Sequence, residues 1–133
     1  MGINVTSVDH VVMAVSDLDA AIETYESTLG LTMSDRHPNP GGFEAAIFPL
    51  GDSFLELVTP TDDNERNPVR TQIDRKGEGL FILSLRVSDI DAAVADLRAK
   101  GCTVTDPAGD DPKLAFVSPK NAHGARLQLI QRG

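Results

Sequence analysis

The chain is poor in the residue types that mark several broad classes of protein. It contains no tryptophan, one tyrosine and one cysteine, Cys102. A single cysteine cannot form an intramolecular disulfide, so nothing points to an oxidising compartment. The first residues lack a cationic segment followed by an apolar core, and no apolar run is as long as a membrane span. We therefore expect a cytoplasmic protein that has no membrane partner.

Positive charge is also in deficit. Lys and Arg total 12 against 20 Asp and Glu, which gives a formal net charge of −8 at pH 7. Such an acidic surface repels phosphate backbones, so nucleic acid is a poor candidate partner. A small anion is still an acceptable ligand, because one local Arg or Lys can hold it in a pocket. The length of 133 residues and the 41% of hydrophobic residues indicate a single globular domain.

The sequence repeats itself. Residues 15–22 read VSDLDAAI and residues 87–94 read VSDIDAAV, an offset of 72 residues. The same offset relates residues 54–58, FLELV, to residues 126–130, RLQLI. Because one offset relates both ends of the repeated segment, the pattern indicates a duplication that produced two similar modules.

The first module, at about residues 5–59, has the element order β-α-β-β-β. Its first strand is predicted at residues 8–15, which are rich in β-branched side chains. A helix follows, with Ser16 as the expected N-cap and Gly30 as the residue that ends it. Three further strands are predicted at residues 32–36, 43–48 and 53–58.

The second module, at about residues 80–131, repeats that order. Its predicted elements are a strand at residues 80–87, a helix at residues 88–100, and strands near Thr103, at residues 113–117 and at residues 126–131. Residues 60–79 are polar and contain proline, and we interpret them as a linker between the modules. Asn67 and Pro68 can begin a short helix there that runs to Arg75.

Side-chain alternation places four related positions on equivalent strand faces. His10 lies on the first strand of the first module, and Glu56 lies on its last strand. At the repeat offset of 72, the corresponding positions are Ile82 and Gln128. If the modules pack with pseudo-twofold symmetry, these four side chains converge on one cavity.

Each position also has an alternative interpretation. His10 could be a core histidine whose nitrogens are satisfied by its neighbours, and Glu56 could be an ordinary surface residue. Arg126 shares a face with Gln128, and it could bind a carboxylate or phosphate or pair with Glu56. We assign Arg126 and Ser84 to the wall of the predicted pocket.

Five short stretches carry a resemblance to a known family. They read VDHV at residues 8–11, PLGD at 49–52, LELVTP at 55–60, GEGL at 77–80 and SPK at 118–120. With the repeated βαβββ order, they resemble the vicinal oxygen chelate superfamily of glyoxalases, bleomycin-resistance proteins, extradiol dioxygenases and epimerases, and most closely its methylmalonyl-CoA epimerases. The resemblance implies an α+β fold in which two tandem βαβββ modules form a curved mixed sheet around a central cavity. It also favours a homodimer.

The resemblance implies a metal site that this chain has partly lost. In such epimerases the four repeat-related positions tend to carry metal ligands, and His10 and Glu56 match two of them. Ile82 stands where a histidine is expected, and isoleucine has no lone pair. Gln128 stands where a carboxylate is expected, and its amide oxygen is a weaker ligand. We expect no cofactor; a weakly bound divalent metal, held by His10, Glu56 and Gln128, is the alternative.

The resemblance also implies catalytic carboxylates. Glu44 matches a position that resembles the non-ligand catalytic glutamate of the epimerases, which implies a general base. His10 or Glu56 would then be the second acid/base or the polarising group. A solvated glutamate at a strand edge is the alternative for Glu44. His37 and His123 lie in polar stretches rich in Pro and Gly, and we expect them to face solvent.

These observations together predict an epimerase- or isomerase-like enzyme that moves a proton at a carbon α to a carbonyl, in an acyl-CoA or a related small acid. Protonated His10, Arg126 or the Gln128 amide would stabilise the enolate by hydrogen bonding. A non-catalytic small-molecule-binding protein of the bleomycin-resistance type is the alternative, although aromatic side chains for stacking on a flat ligand are scarce. A metal-dependent glyoxalase or dioxygenase is a second alternative, and Ile82 weakens it most.

Overall fold

A computed structural model of the protein describes residues 3–133 as a mixed α+β fold. The strands are β1 (Val5–Ala14), β2 (Asp35–Asn39), β3 (Phe43–Leu50), β4 (Ser53–Pro60), β5 (Gly79–Val87), β6 (Lys113–Val117) and β7 (Leu127–Gln131). The helices are α1 (Leu18–Glu23), which continues as a π-helical turn over Thr24–Thr28, α2 (Pro68–Lys76) and α3 (Ile90–Ala99). The strand order is β2-β3-β4-β1-β5-β7-β6. Strand β3 pairs antiparallel with both β2 and β4, whereas β5 and β7 pair in parallel. The α+β class predicted from the sequence is confirmed.

The described residues form two compact units that divide β1 between them. The N-terminal unit contains residues 11–81, and the C-terminal unit contains residues 3–10 and 82–133. The core of the N-terminal unit is Val15, Leu18, Ile22, Ala46, Phe48, Leu55 and Leu57. The core of the C-terminal unit is Val87, Ile90, Ala93, Val94, Val104, Ala115, Val117 and Leu129. Four of these positions recur at the offset of 72 residues, so the sequence repeat corresponds to a repeated core.

The two repeated helices begin with the same cap. The Asp17 carboxylate accepts a hydrogen bond from the backbone amide three residues on at 3.1 Å, and the Asp89 carboxylate does the same at 3.1 Å. The prediction of Ser16 as N-cap is therefore wrong by one residue. Ser16 instead donates from its backbone N–H and its hydroxyl to the Glu78 carboxylate, at 2.8 and 2.9 Å. These two hydrogen bonds lower the pKa of Glu78 from its ordinary value.

Two predicted strands differ from the observed ones. The segment near Thr103 forms no strand and contributes only the isolated bridge between Val104 and Val117. Pro107 follows closely and cannot donate to a strand ladder. The second strand lies three residues later than predicted and contains Pro38, which an edge strand such as β2 tolerates. His37 therefore lies within β2, and its side chain, predicted to face solvent, is 44% exposed.

The linker helix forms where the sequence predicted it. Asn67 is the N-cap of α2: its Oδ1 accepts from the backbone amides of Val69 and Arg70, at 3.0 and 3.4 Å. Its Nδ2 donates to the carbonyl oxygen of Gly42 at 2.8 Å, which ties α2 to the start of β3. Among residues 3–133, the helices are too short or too polar to cross a membrane.

Asn67→Ala should destabilise the protein because it removes both the helix cap and the bond to Gly42. We expect a loss of about 2 kcal/mol in the free energy of unfolding, measured by urea titration. Asn64→Ala is the matched control, since Asn64 is exposed and accepts one local bond from the amide of Arg66. Its loss should stay within about 0.5 kcal/mol. Equal losses in the two variants would contradict the anchoring role of Asn67.

Candidate functional site

A hydrogen bond joins two residues assigned to the pocket wall. Ser84 on β5 lies opposite Gln128 on β7, and the Ser84 hydroxyl donates to Gln128 Oε1 at 2.7 Å. Both side chains are buried in the C-terminal unit. The bond occupies one lone pair of the amide oxygen and orients the amide NH2 group. Gln128 is therefore better suited to donate hydrogen bonds to an anionic oxygen than to bind a cation.

His10 is held by the carboxylate that precedes it in the chain. His10 is 6% exposed and Asp9 is 1% exposed, and His10 Nδ1 lies 2.6 Å from Asp9 Oδ2. Arg86 donates from Nε and Nη2 to Asp9 Oδ1, at 3.0 and 2.6 Å. Arg132 donates from Nε to Oδ1 at 2.8 Å and from Nη2 to Oδ2 at 2.9 Å. The buried carboxylate thus receives hydrogen bonds from two arginines as well as the histidine.

These contacts determine the protonation pattern of the pair. Burial by itself would raise the pKa of Asp9, but the hydrogen bonds from Arg132, His10 and Arg86 outweigh it and hold that pKa well below its usual range. An ionised carboxylate only accepts hydrogen bonds, so the His10 proton lies on Nδ1. In the neutral ring Nε2 is then the atom that can accept a proton or a hydrogen bond.

Sequence reasoning missed the role of Asp9. The signal was an acidic residue inside a run of β-branched residues, since aspartate is depleted in strands. The arginines that neutralise it lie far along the chain and have no recognisable spacing.

In the N-terminal unit, the two candidate glutamates lie on opposite faces of the sheet. In the antiparallel register of β3 and β4, Ile47 is directly opposite Glu56, so these two side chains share a face. By alternation Glu44 shares a face with Ala46 and Phe48, which belong to the core beneath α1. Glu44 and Glu56 therefore cannot approach one small substrate from the same side of this sheet.

Glu44 takes part in an ion network on the side of α1. Its Oε2 accepts from Arg36 Nε at 2.8 Å, and Arg36 Nη1 donates to Asp19 on α1 at 2.6 Å. Hydrogen bonds from the guanidinium to Glu44 and then to Asp19 raise the pKa of Arg36. The side chains of Glu44 and Arg36 are 30% and 35% exposed, and that of Asp19 is 80% exposed. This placement disfavours the general-base role predicted for Glu44.

The remaining residues that the sequence assigned to the pocket lie in the C-terminal unit. Ile82 is half-buried on β5, and Arg126 is exposed just before β7. Arg126 lines a surface pocket of about 150 Å³. Its other lining residues are Thr103, Thr105, Phe116, Val117, Ser118 and Pro119. The convergence of His10, Glu56, Ile82 and Gln128 on one cavity concerns residues of both units and stays a prediction.

The residues present fit a metal ion poorly. Among residues 3–133, no group of three or more His, Cys, Asp or Glu side chains is arranged to hold a metal. Ile82 has no donor atom, and the Gln128 amide oxygen already accepts from Ser84. Of the four repeat-related positions, only His10 and Glu56 carry strong donor types, whereas catalytic metal sites typically use about three protein ligands.

Comparisons with known proteins identify relatives along nearly the whole chain. A family model described as a glyoxalase-like domain matches residues 8–132. The human mitochondrial methylmalonyl-CoA epimerase is 30% identical over 135 residues, which cover 96% of this chain and 75% of the human protein. The crystal structure of methylmalonyl-CoA epimerase from Mycobacterium tuberculosis is similar with a TM-score of 0.83 at 30% identity, covering 97% of this chain and 89% of that chain. A variant of the Streptomyces coelicolor epimerase, in complex with 2-nitronate-propionyl-CoA, has a TM-score of 0.84 at 30% identity, covering 98% and 99% of the two chains.

Asp9→Asn should destabilise the protein and change the tautomer of His10. Removing one partner of a buried ion cluster costs about 3 kcal/mol of unfolding free energy at neutral pH. Because the pKa of Asp9 is lower in the folded state than its ordinary 3.8, the stabilisation is present above that pH and is lost as the pH falls below it. The difference between wild type and variant should therefore shrink on acidification below about pH 4.

The tautomer is read from nitrogen-15 NMR shifts of His10. The wild type should show a proton on Nδ1, and Asp9→Asn should lose that preference, because an amide can donate to Nδ1. Asp74→Asn, an exposed change on α2, is the control for both measurements. An unchanged tautomer in Asp9→Asn would show that Asp9 does not orient the ring.

Proposed function

The chain belongs to the family of glyoxalase-like domains, and on that premise we propose that it is an epimerase-like enzyme that moves the α-proton of an acyl-CoA. The observation that carries the proposal is the likeness to methylmalonyl-CoA epimerases over nearly the whole chain, in sequence and in structure. One similar structure holds an acyl-CoA analogue that carries a nitronate. A nitronate is a planar anion of the same shape and charge as an enolate, so it supports a proton-transfer reaction through an enolate.

Glu56 is our candidate for the group that takes the α-proton. It is half-buried on β4, between the buried residues Leu55 and Leu57 that point to the other face. A partly desolvated carboxylate is an effective general base when it lies within reach of the proton it removes. The face of β4 that carries Glu56 carries no other titratable side chain. We therefore propose Glu56 as the general base in place of Glu44, which lies on the opposite face of the sheet.

The proposal also uses two groups of the C-terminal unit, on the sequence prediction that His10, Glu56, Ile82 and Gln128 converge on one cavity. The Gln128 amide donates hydrogen bonds from an orientation that Ser84 sets. His10 presents Nε2 as the atom that gains or gives a proton, because Asp9 receives its Nδ1 hydrogen. Preorganised donors of this kind stabilise charge in the transition state without rearrangement during the reaction.

The partners of the protein follow in part from its relatives. Similar structures bind acyl-CoA ligands, which supports a small-molecule substrate for this chain. The homodimer and the cytoplasmic location expected from the sequence stay predictions.

Exchange of the α-proton with solvent tests the proposal directly. Wild-type protein incubated with methylmalonyl-CoA in deuterium oxide should incorporate deuterium at the α-carbon, measured by mass spectrometry. Glu56→Gln should slow the exchange by about 100- to 10,000-fold, the usual contribution of a general base. Glu65→Gln, in the exposed linker, is the matched control and should keep the wild-type rate.

Glu44→Gln decides between the two glutamates. A rate equal to wild type would remove Glu44 from the chemistry, as its placement on the side of α1 indicates. A loss as large as that of Glu56→Gln would restore the base predicted from the sequence. Absence of exchange in the wild type with acyl-CoA substrates would overturn the proposed function.

Because the side chains at the four repeat-related positions fit a metal ion poorly, we expect that exchange of the α-proton does not require a tightly bound metal. We expect purified protein to contain metal well below one ion per chain by plasma mass spectrometry, and the exchange rate to survive chelation followed by dialysis. Loss of the rate on chelation, with recovery on adding one divalent ion per chain, would contradict this expectation.

A further inference from the structure

Epimerisation needs either two acid/base groups, one on each face of the α-carbon, or one group that can reach both faces. A proton leaves one face of the α-carbon, and another proton arrives on the opposite face. This inference rests on the proposed function, in which Glu56 serves one face. Since Glu44 lies on the opposite side of the sheet, the second group must be another titratable side chain on the face of Glu56.

The strand register identifies such a group. The side chains of β2, β3 and β4 that share the face of Glu56 form cross-strand rows, because directly paired residues in antiparallel strands point the same way. One row contains Asp35, Ile47 and Glu56. The next row contains His37, Ala45 and Val58. The titratable side chains on this face of the three strands are thus Glu56, Asp35 and His37. The first lies on β4, and the other two lie on β2.

His37 and Asp35 form a pair of the same kind as His10 and Asp9. His37 Nδ1 lies 2.6 Å from Asp35 Oδ2 across one strand repeat. The His37 side chain is 44% exposed and that of Asp35 is 59% exposed, so a ligand and solvent can both reach the imidazole. The carboxylate accepts the Nδ1 hydrogen and leaves Nε2 to exchange a proton with a ligand. Contact with solvent would let the ring recover its proton after each turnover.

The spacing of the sheet suits a substrate between the two groups. His37 and Glu56 are separated by two strand spacings and by one same-face step along the strands, which puts their Cα atoms about 12 Å apart. Two side chains that lean towards each other across this distance can each come within about 3–3.5 Å of one carbon atom, as a reactive geometry requires. Ala45 and Ile47, which lie between them, carry no group that competes for a proton.

We propose that His37, positioned by Asp35, is the second acid/base of the reaction and serves the face of the α-carbon opposite to Glu56. In one direction the Glu56 carboxylate takes the α-proton, the C–H electron pair becomes the enolate, and the protonated His37 ring delivers its proton to the other face of the same carbon. In the reverse direction His37 takes the proton and the Glu56 carboxylic acid returns one. Afterwards both groups regain their starting protonation from solvent.

Deuterium uptake by separate epimers tests this assignment. With (2R)- and (2S)-methylmalonyl-CoA as probes, His37→Gln should still exchange the α-proton of the epimer that Glu56 serves. It should lose exchange of the other epimer and interconvert the two about 100- to 10,000-fold more slowly. Glu56→Gln should show the opposite preference between epimers. Asp35→Asn should lower kcat more than it changes KM. The loss should fall on the epimer whose α-proton His37 removes.

The control is His123→Asn, an exposed histidine of the C-terminal unit whose positive φ of 54° asparagine tolerates. It should leave both exchange rates unchanged, and thermal unfolding should show that all variants are folded. Interconversion at the wild-type rate in His37→Gln would overturn the role of His37 while the proposed function stands. Equal loss of both exchanges in that variant would also overturn it, since a structural residue has no preference between epimers. Absence of exchange in the wild type would instead remove the proposed function itself.

Discussion

The pleat of the strands decides which side chains of this protein can act together. Successive residues on a strand point to opposite faces, and paired antiparallel strands extend each face sideways. That constraint separates Glu44 from Glu56 although both lie on neighbouring strands, and it brings His37 to the face of Glu56. A shift of one residue in register would reverse each of these assignments.

Since the duplication, the two modules have kept the same core positions and helix caps but have come to carry different polar side chains. Core positions and helix caps recur at the offset of 72 residues, down to the matched bonds of Asp17 and Asp89. The repeat-related positions predicted to line a pocket have diverged, since the counterpart of His10 is Ile82. A core position tolerates only residues of suitable size and apolarity, whereas a pocket position changes with the ligand. Each unit has consequently kept its architecture while acquiring different polar groups.

The fold was accessible from the sequence because its signals are local or repeated. Strand and helix periodicity and the capping residues each lie within a few positions, and the repeat doubled every signal. The sequence was less informative where the deciding partner is remote. Pro38 argues against a strand unless β2 is known to be an edge, and the face of Glu44 depends on the pairing of β3 with β4. The bonds from Arg86 and Arg132 to Asp9 are invisible in sequence because no spacing rule joins them.

The ion cluster around Asp9 also bears on how the chain matures during synthesis. Arg132 lies 123 residues after the carboxylate that it neutralises. Until β5 has been made, β1 carries a carboxylate for which neither arginine is yet present, and burying an unpaired carboxylate is costly. The core of the N-terminal unit contains none of these charged residues and can form earlier, whereas the buried end of β1 needs Arg86 from β5 and then Arg132, which follows β7. Two guanidinium groups from widely separated parts of the sequence therefore complete the buried end of β1.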